Sequence, residues 1–283
     1  MEDPNQPMKT TTLVLSAYSL MLTASPVFGD LVIKNGDSIA FLGDSLTQLG
    51  NDHKPNGYIH LIAEGLKEAG VNTVPIPAGI GGNTTVDMLA RLDRDVISKK
   101  PVWMTLNSGI NDTPKMEPEE FGANLAKIVD RATAAGIKVI LLNTTLAGGE
   151  NLTSPETLKR LRFCEEFKKL ATERHLILVD LNTAMVKAVT ELNKDGTKGL
   201  KLTYDGTHLN GLGNQIIAKE ILRVLGVSET TLAALRKHWD DYPFSQGRPA
   251  VSVNDYLKLK SAAENNGKTV DELISAILTD FAK

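Results

Sequence analysis

The sequence predicts an α/β protein: a three-layer α/β/α sandwich around a five-stranded parallel sheet, with a helical appendage at the C-terminus. Three observations predict it. From residue 31 onward, five short apolar runs alternate with stretches of helical periodicity. One run, Lys138–Leu142, is unbroken after its first residue, as expected of a strand covered on both faces. A helical stretch follows each run, and parallel neighbours need such crossovers. Right-handed crossovers then place helices on both faces, and ligands of such sheets bind beyond the carboxyl ends of the strands.

In chain order, Ser38–Leu42 reads as the first strand. A helix follows over Tyr58–Glu68, with Ile59, Ile62 and Leu66 on one face and Gly70 as its stop. Thr73–Ile76 is the second strand, and Thr84–Ser98 a helix carrying Val86, Leu89, Leu92, Val96 and Ile97. Val102–Leu106 is the third strand, Glu119–Ala135 a long helix closed by Gly136, and Lys138–Leu142 the fourth strand. Ser154-Pro155 opens the next helix as cap and first turn, running to Arg174. Leu176–Val179 is the fifth strand, with Asn182–Leu192 and Leu212–Leu225 as the last helices before Gly226. Residues 30–226 thus form the main domain. Residues 227–283 form an extension packed on it: a turn-rich linker at Trp239–Pro249, then helices at Ser252–Glu264 and Thr269–Phe281, the second opened by a capping box of Thr269 and Glu272.

Composition narrows the function classes. Of 283 residues, 42% are hydrophobic and 23% charged, which excludes a disordered or collagen-like chain. The 31 basic and 34 acidic residues give a net charge of −3, without the basic excess of a nucleic-acid binder. The one cysteine, Cys164, can form neither an internal disulfide nor a cysteine zinc site, and it sits among Leu161, Phe163 and Phe167 as a core thiol. His53, His60, His175 and His238 lack ligand-like spacing, so neither a metal nor a cofactor is expected; His53 could instead line a cleft. At the N-terminus, Lys9 precedes an apolar run, Leu13–Leu22, and Val27 and Gly29 suit a cleavage site after Gly29. Glu2 and Asp3 run against the positive character of a leader, an objection that vanishes if Met8 is the start. Residues 1–29 are therefore expected to be a signal peptide, too short and polar to span a bilayer, and the mature chain secreted or periplasmic.

Four polar segments follow strands or precede the last helix of the main domain. Gly43-Asp44-Ser45-Leu46 ends the first strand, where a serine is either a nucleophile or a helix cap. Gly79-Ile80-Gly81-Gly82-Asn83-Thr84 follows the second; its glycines let backbone N–H groups approach a ligand, and Thr84 in the third glycine's place breaks a dinucleotide fingerprint. Asn107-Ser108-Gly109-Ile110-Asn111-Asp112 follows the third. Asp205-Gly206-Thr207-His208 precedes the last helix, with a carboxylate three residues before an imidazole that it can orient.

Taken together, in this order, the four segments resemble the blocks of the SGNH subgroup of the GDSL esterase/lipase family, over about residues 38–226. The resemblance implies a flavodoxin-like sandwich, in agreement with the fold read above. It implies Ser45 as nucleophile, His208 as general base and Asp205 as its orienting carboxylate. It assigns the oxyanion donors to the N–H groups of Ser45 and Gly82 and the side-chain amide of Asn111. Asn83 departs from the family's pattern, where aspartate is frequent. The chain has no Gly-x-Ser-x-Gly, so the α/β-hydrolase elbow is absent. Asp44 and Asp112, beside these residues, are expected to hold loops by accepting backbone N–H bonds, and Trp103 to lie in the core.

The expected activity is hydrolysis of a carboxylic ester. The loops Gln48–Asn56, Thr113–Glu120 and Thr145–Ser154 are polar and offer only Leu49, Met116, Leu146 and Leu152 as apolar wall. That favours a short acyl group, acetyl above all, on carbohydrate. A lysophospholipase, thioesterase or arylesterase acting on longer acyl esters is the alternative within the same chemistry; a non-catalytic glycan-binding module is the alternative outside it.

Overall fold

The computed structural model describes residues 31–146, 150–194, 196, 199–244 and 251–281; the leader expected over residues 1–29 lies outside them. Five parallel strands form the sheet: β1 (Ser38–Gly43), β2 (Val74–Gly79), β3 (Trp103–Asn107), β4 (Lys138–Leu142) and β5 (Ile177–Val179), in the order β2-β1-β3-β4-β5. That is the flavodoxin-like order, in which the winding reverses between β1 and β3. The crevice at their carboxyl ends is where the site lies.

The helices are α1 (Ser45–Asp52), α2 (Tyr58–Glu68), α3 (Thr85–Asp95), α4 (Pro118–Ala134), α5 (Pro155–Arg174), α6 (Leu181–Leu192), α7 (Gly211–Val224), α8 (Glu229–Trp239), α9 (Val253–Asn265) and α10 (Val270–Phe281). Two residues at each of 243–244 and 251–252 pair antiparallel between α8 and α9. Strand residues alternate between the two cores, as a pleat requires. Ile39, Phe41, Trp103, Ile140 and Leu142 pack on the face covered by α2, α6, α7 and α8. Ala40, Leu42, Met104, Leu106, Val139 and Leu141 pack on the opposite face, under α3, α4 and α5. Trp103 is buried as expected, its indole N–H donating to Asp37 Oδ2 at 3.0 Å. Pro75 and Pro77 lie in β2, an edge strand, where a missing N–H is tolerated.

Most elements fall within two residues of their expected places, and three differences have physical causes. Residues 45–52 form a helix where a polar loop is expected. Asp44 caps it by accepting the Leu46 N–H at 2.9 Å, and a Cβ on Gly50 would come within 2.5 Å of the Tyr58 ring. The third helix ends at Asp95 and faces differently: Thr85, Met88, Arg91 and Leu92 are buried, while Val86 is 50% exposed. Finally, α8 occupies residues before the expected linker. It sinks Leu232, Leu235 and Trp239 into the main core, and its terminal Trp239 together with Tyr242 donates to the Glu64 carboxylate at 3.1 and 2.8 Å. Among the described residues no helix is long and apolar enough to cross a membrane.

Candidate active site

β1 delivers Ser45 by a tight turn from strand into helix. A Cβ on Gly43 would stand 2.0 Å from Thr47 Oγ1 and 3.1 Å from the Asn107 carbonyl, so only glycine lets α1 fold back this closely. Ser45 is the first residue of α1. Its N–H therefore has no partner within the helix and sits at the positive end of the macrodipole.

Asp205 and His208 reach the same point from the turn before α7. Asp205 Oδ1 accepts the N–H groups of Thr207 at 2.9 Å and His208 at 2.7 Å, and its Oδ2 lies 2.6 Å from His208 Nδ1. A carboxylate only accepts, so Nδ1 carries the ring proton and Nε2 presents a lone pair. That lone pair faces Ser45 Oγ at 3.0 Å. Burial opposes ionisation of Asp205, but the bonds from the His208 ring and from the two backbone N–H groups outweigh it and hold the carboxyl below its ordinary range. The Tyr204 ring stacks on the imidazole at 5.8 Å between centroids.

The loop after β2 brings up the remaining groups. Gly81 N–H is taken by Gln48 Oε1 at 2.8 Å, and the next residue, Gly82, turns through φ +77 with no described partner on its N–H. Asn111 Nδ2 donates to the Asn83 carbonyl at 3.0 Å, which uses one of its two amide hydrogens. Asn83, where the family's pattern has aspartate, accepts Arg91 Nε at 2.7 Å through its side-chain oxygen. The same guanidinium donates to the carbonyls of Ala78 and Gly43, each at 2.8 Å, and to Asp95 at 3.0 Å. Arg91 therefore ties the ends of β1 and β2 to the Gly82 loop. No pattern in the sequence marks it, because an arginine on the inner face of α3 looks like a surface residue until the helix phase is known.

Asp112 accepts from the N–H and hydroxyl of Thr85, at 2.7 and 2.6 Å, and from Gly109 N–H at 3.2 Å, so it holds loops as expected. Asp44 is fully buried, and burial pushes its carboxyl up to about 6, against the Leu46 N–H that lowers it. His53 is half-buried; burial, with the nearby His208, lowers its imidazole, despite Asp52. His60 bonds the Asn51 carbonyl, His175 ends α5, and His238 lies beside Glu64. Cys164 is 2% exposed, and burial pushes its thiol up to about 12. Among the described residues no group of three or more His, Cys, Asp or Glu could hold a metal.

The model of the GDSL-like lipase/acylhydrolase family matches residues 41–216. The chain belongs to this family. Among its relatives is an acetylxylan esterase of Geobacillus stearothermophilus, 28% identical over 218 residues, covering 69% of this chain and 96% of that protein. The esterase TesA of Pseudomonas aeruginosa is 30% identical over 136 residues, 47% of this chain and 64% of that one. Among solved structures, the acetyl xylan esterase AlAXEase is 27% identical with a TM-score of 0.60, over 66% of this chain and 98% of its own. Axe2, the acetylxylan esterase of G. stearothermophilus, is 26% identical with a TM-score of 0.60, over 69% and 97%. Three further structures of Axe2 are catalytic mutants in which alanine replaces an aspartate, a histidine three positions after it, and a serine. The family member described here is a carboxylic ester hydrolase.

Proposed function

We propose that this esterase removes acetyl groups from carbohydrate by a Ser45–His208–Asp205 triad. The observation that carries the mechanism is the unbroken hydrogen-bonded line from Asp205 Oδ2 to His208 Nδ1 at 2.6 Å and from His208 Nε2 to Ser45 Oγ at 3.0 Å. A serine hydroxyl is a weak nucleophile until a base within such reach takes its proton. His208 takes that proton as Oγ attacks the ester carbonyl and returns it to the departing sugar hydroxyl; water then repeats the cycle on the acetyl-enzyme. Asp205 fixes the tautomer and stabilises the imidazolium. The N–H groups of Ser45 and Gly82 and the free amide hydrogen of Asn111 receive the oxyanion.

The substrate side rests on two supports. Two relatives that this chain matches over almost their whole length are acetylxylan esterases. The rim is also less apolar than its sequence: Leu146 is 3% exposed and in the core, and Leu152 and Met116 pack against the two cores. Few apolar side chains remain to hold a long acyl chain. A polysaccharide substrate agrees with export by the leader over residues 1–29, and one relative, YqeF of Bacillus subtilis, is a lipoprotein.

Acetate release from acetylated xylan and other acetylated polysaccharides, with p-nitrophenyl acetate and octanoate beside them, tests the reading. Turnover of acetylated carbohydrate and acetate over octanoate is expected. Octanoate as the better ester would replace it with a longer-acyl esterase. No turnover of any ester by folded protein would leave a glycan-binding module. N-terminal sequencing of exported protein should begin at Asp30.

A further inference from the structure

We propose that Glu150, which bonds none of the three triad residues, is the residue that positions His208 against Ser45. The proposal rests on the reading of those two residues as base and nucleophile. Glu150 lies between β4 and α5, is 8% exposed, and adopts φ +63, a conformation that non-glycine residues rarely hold without compensation. Its carboxylate supplies the compensation. Oε2 accepts the Lys201 N–H at 2.7 Å; Oε1 accepts the N–H groups of Leu202 and Thr203 at 2.8 and 2.7 Å and the Thr203 hydroxyl at 2.7 Å. Its carboxylate is thus met by three successive backbone dipoles and one hydroxyl.

Those three residues are the stem of the loop that carries Asp205 and His208. Thr203 bridges to Leu209, Tyr204 N–H donates to the His208 carbonyl at 3.0 Å, and Asn210 N–H donates to the Leu202 carbonyl at 2.9 Å. Asn210 also donates through its side chain to the Lys201 carbonyl at 2.9 Å while capping α7. Residues 201–210 therefore close on themselves. The bonds from Asp205 to Thr207 N–H, His208 N–H and the imidazole lie wholly inside this unit. The His208–Ser45 bond leaves it, across 163 residues of sequence. A shift of the stem carries Asp205 and His208 together and alters their placement against Ser45. Glu150 grips that stem from the β4 side of the cleft, and a misplacement of about 1 Å can cost about 10² in rate.

The test uses Glu150→Ala, Glu150→Gln and Thr203→Val in the full chain. Glutamine can place its oxygen among the three donors at Oε1, which turns its amide nitrogen toward the Lys201 N–H; valine removes only the hydroxyl bond. The expected result for Glu150→Ala is a kcat for p-nitrophenyl acetate lower by about 10², KM within about threefold, and fluorophosphonate labelling of Ser45 slowed by a similar factor. Glu150→Gln and Thr203→Val should follow with losses of about tenfold and less. The acid limb of the pH–rate profile should stay in place while its plateau drops, because Asp205 and His208 move together. A purely structural role would lower Tm and leave kcat well below Tm unchanged. Folded Glu150→Ala with kcat within about threefold of wild type, a loss confined to KM, or a moved acid limb would overturn the proposal. If Glu150→Ala does not fold, wild-type kcat in both milder variants overturns it. Wild-type protein that fails to label at Ser45 would instead overturn the catalytic reading beneath.

Discussion

Replacing Asp205 with asparagine should cripple the enzyme through the tautomer of His208 more than through the lost charge. Asp205 Oδ1 faces two backbone N–H groups, at 2.9 and 2.7 Å. In Asp205→Asn the amide oxygen must take that side, because the alternative sets an NH₂ against two donors. The amide nitrogen then points at His208 Nδ1, where the carboxylate oxygen lay at 2.6 Å. To accept from it the ring must move its proton to Nε2, and a protonated Nε2 cannot take the proton of Ser45. The Asp205 side chain is 42% exposed, so solvent screens part of the electrostatic loss. In a triad of this kind the asparagine substitution costs about 10⁴ in kcat; given that exposure, about 10³ is expected here, or about 4 kcal/mol of transition-state stabilisation. Asp205→Ala imposes no wrong tautomer, since water can accept from Nδ1, so it should lose less than Asp205→Asn. The acid limb should also move to lower pH when the anion is gone. The assay is kcat/KM with p-nitrophenyl acetate across pH, on protein shown to be folded by circular dichroism. Asp205→Asn within about tenfold of wild type, or Asp205→Ala as the worse variant, would refute the reasoning.

Asn111→Ala should lower kcat by about 10²–10³ with KM little changed, because its free amide hydrogen is used only once the oxyanion forms; a raised KM at constant kcat would make it a substrate-binding group. Arg91→Lys keeps the charge but cannot serve the Gly43 and Ala78 carbonyls and Asn83 together. It should cost about 2–3 kcal/mol in urea unfolding and lower kcat as the Gly82 loop loosens. Asp44, raised from 3.8 to about 6, favours folding below its unfolded value and loses that contribution as pH rises through about 6. The shift corresponds to about 3 kcal/mol, so Asp44→Asn should gain stability over wild type at pH 7 and show no such gain near pH 4. Equal differences in urea midpoint at the two pH values would contradict it. Activity should withstand a chelator, and loss on EDTA restored by zinc or calcium would contradict the metal-free mechanism.

What the sequence disclosed and what it hid divide along physical lines. β4, α2 and α5 fall where the apolar runs and the Ser154-Pro155 cap put them, because their periodicity and caps are local. Ser45, Asp205 and His208 could be singled out because each sits in a short motif after a strand or before a helix, and the fold carries these motifs to one place. α1 was hidden because Leu46 is the one apolar side chain among its buried residues, beside Thr47 and Gly50, too few to show a helical period. The face of α3 was misjudged because Arg91 stands in the core, and its acceptor Gly43 is 48 residues away. Glu150 was silent for the same reason: its partners begin 51 residues later, and no local pattern marks a glutamate that serves three distant backbone N–H groups. α8 has a readable apolar set, Leu232, Leu235 and Trp239, that the turn-rich stretch after it obscured.

The central claim is that Ser45 is the nucleophile and that His208 activates it. Peptide mass spectrometry after treatment with a fluorophosphonate tests it most directly. One adduct is expected, on the peptide that contains Ser45; it should form slowly or not at all in His208→Ala and be suppressed by an acetylated xylo-oligosaccharide. An adduct on another residue, or none on folded protein that hydrolyses p-nitrophenyl acetate, would contradict the account.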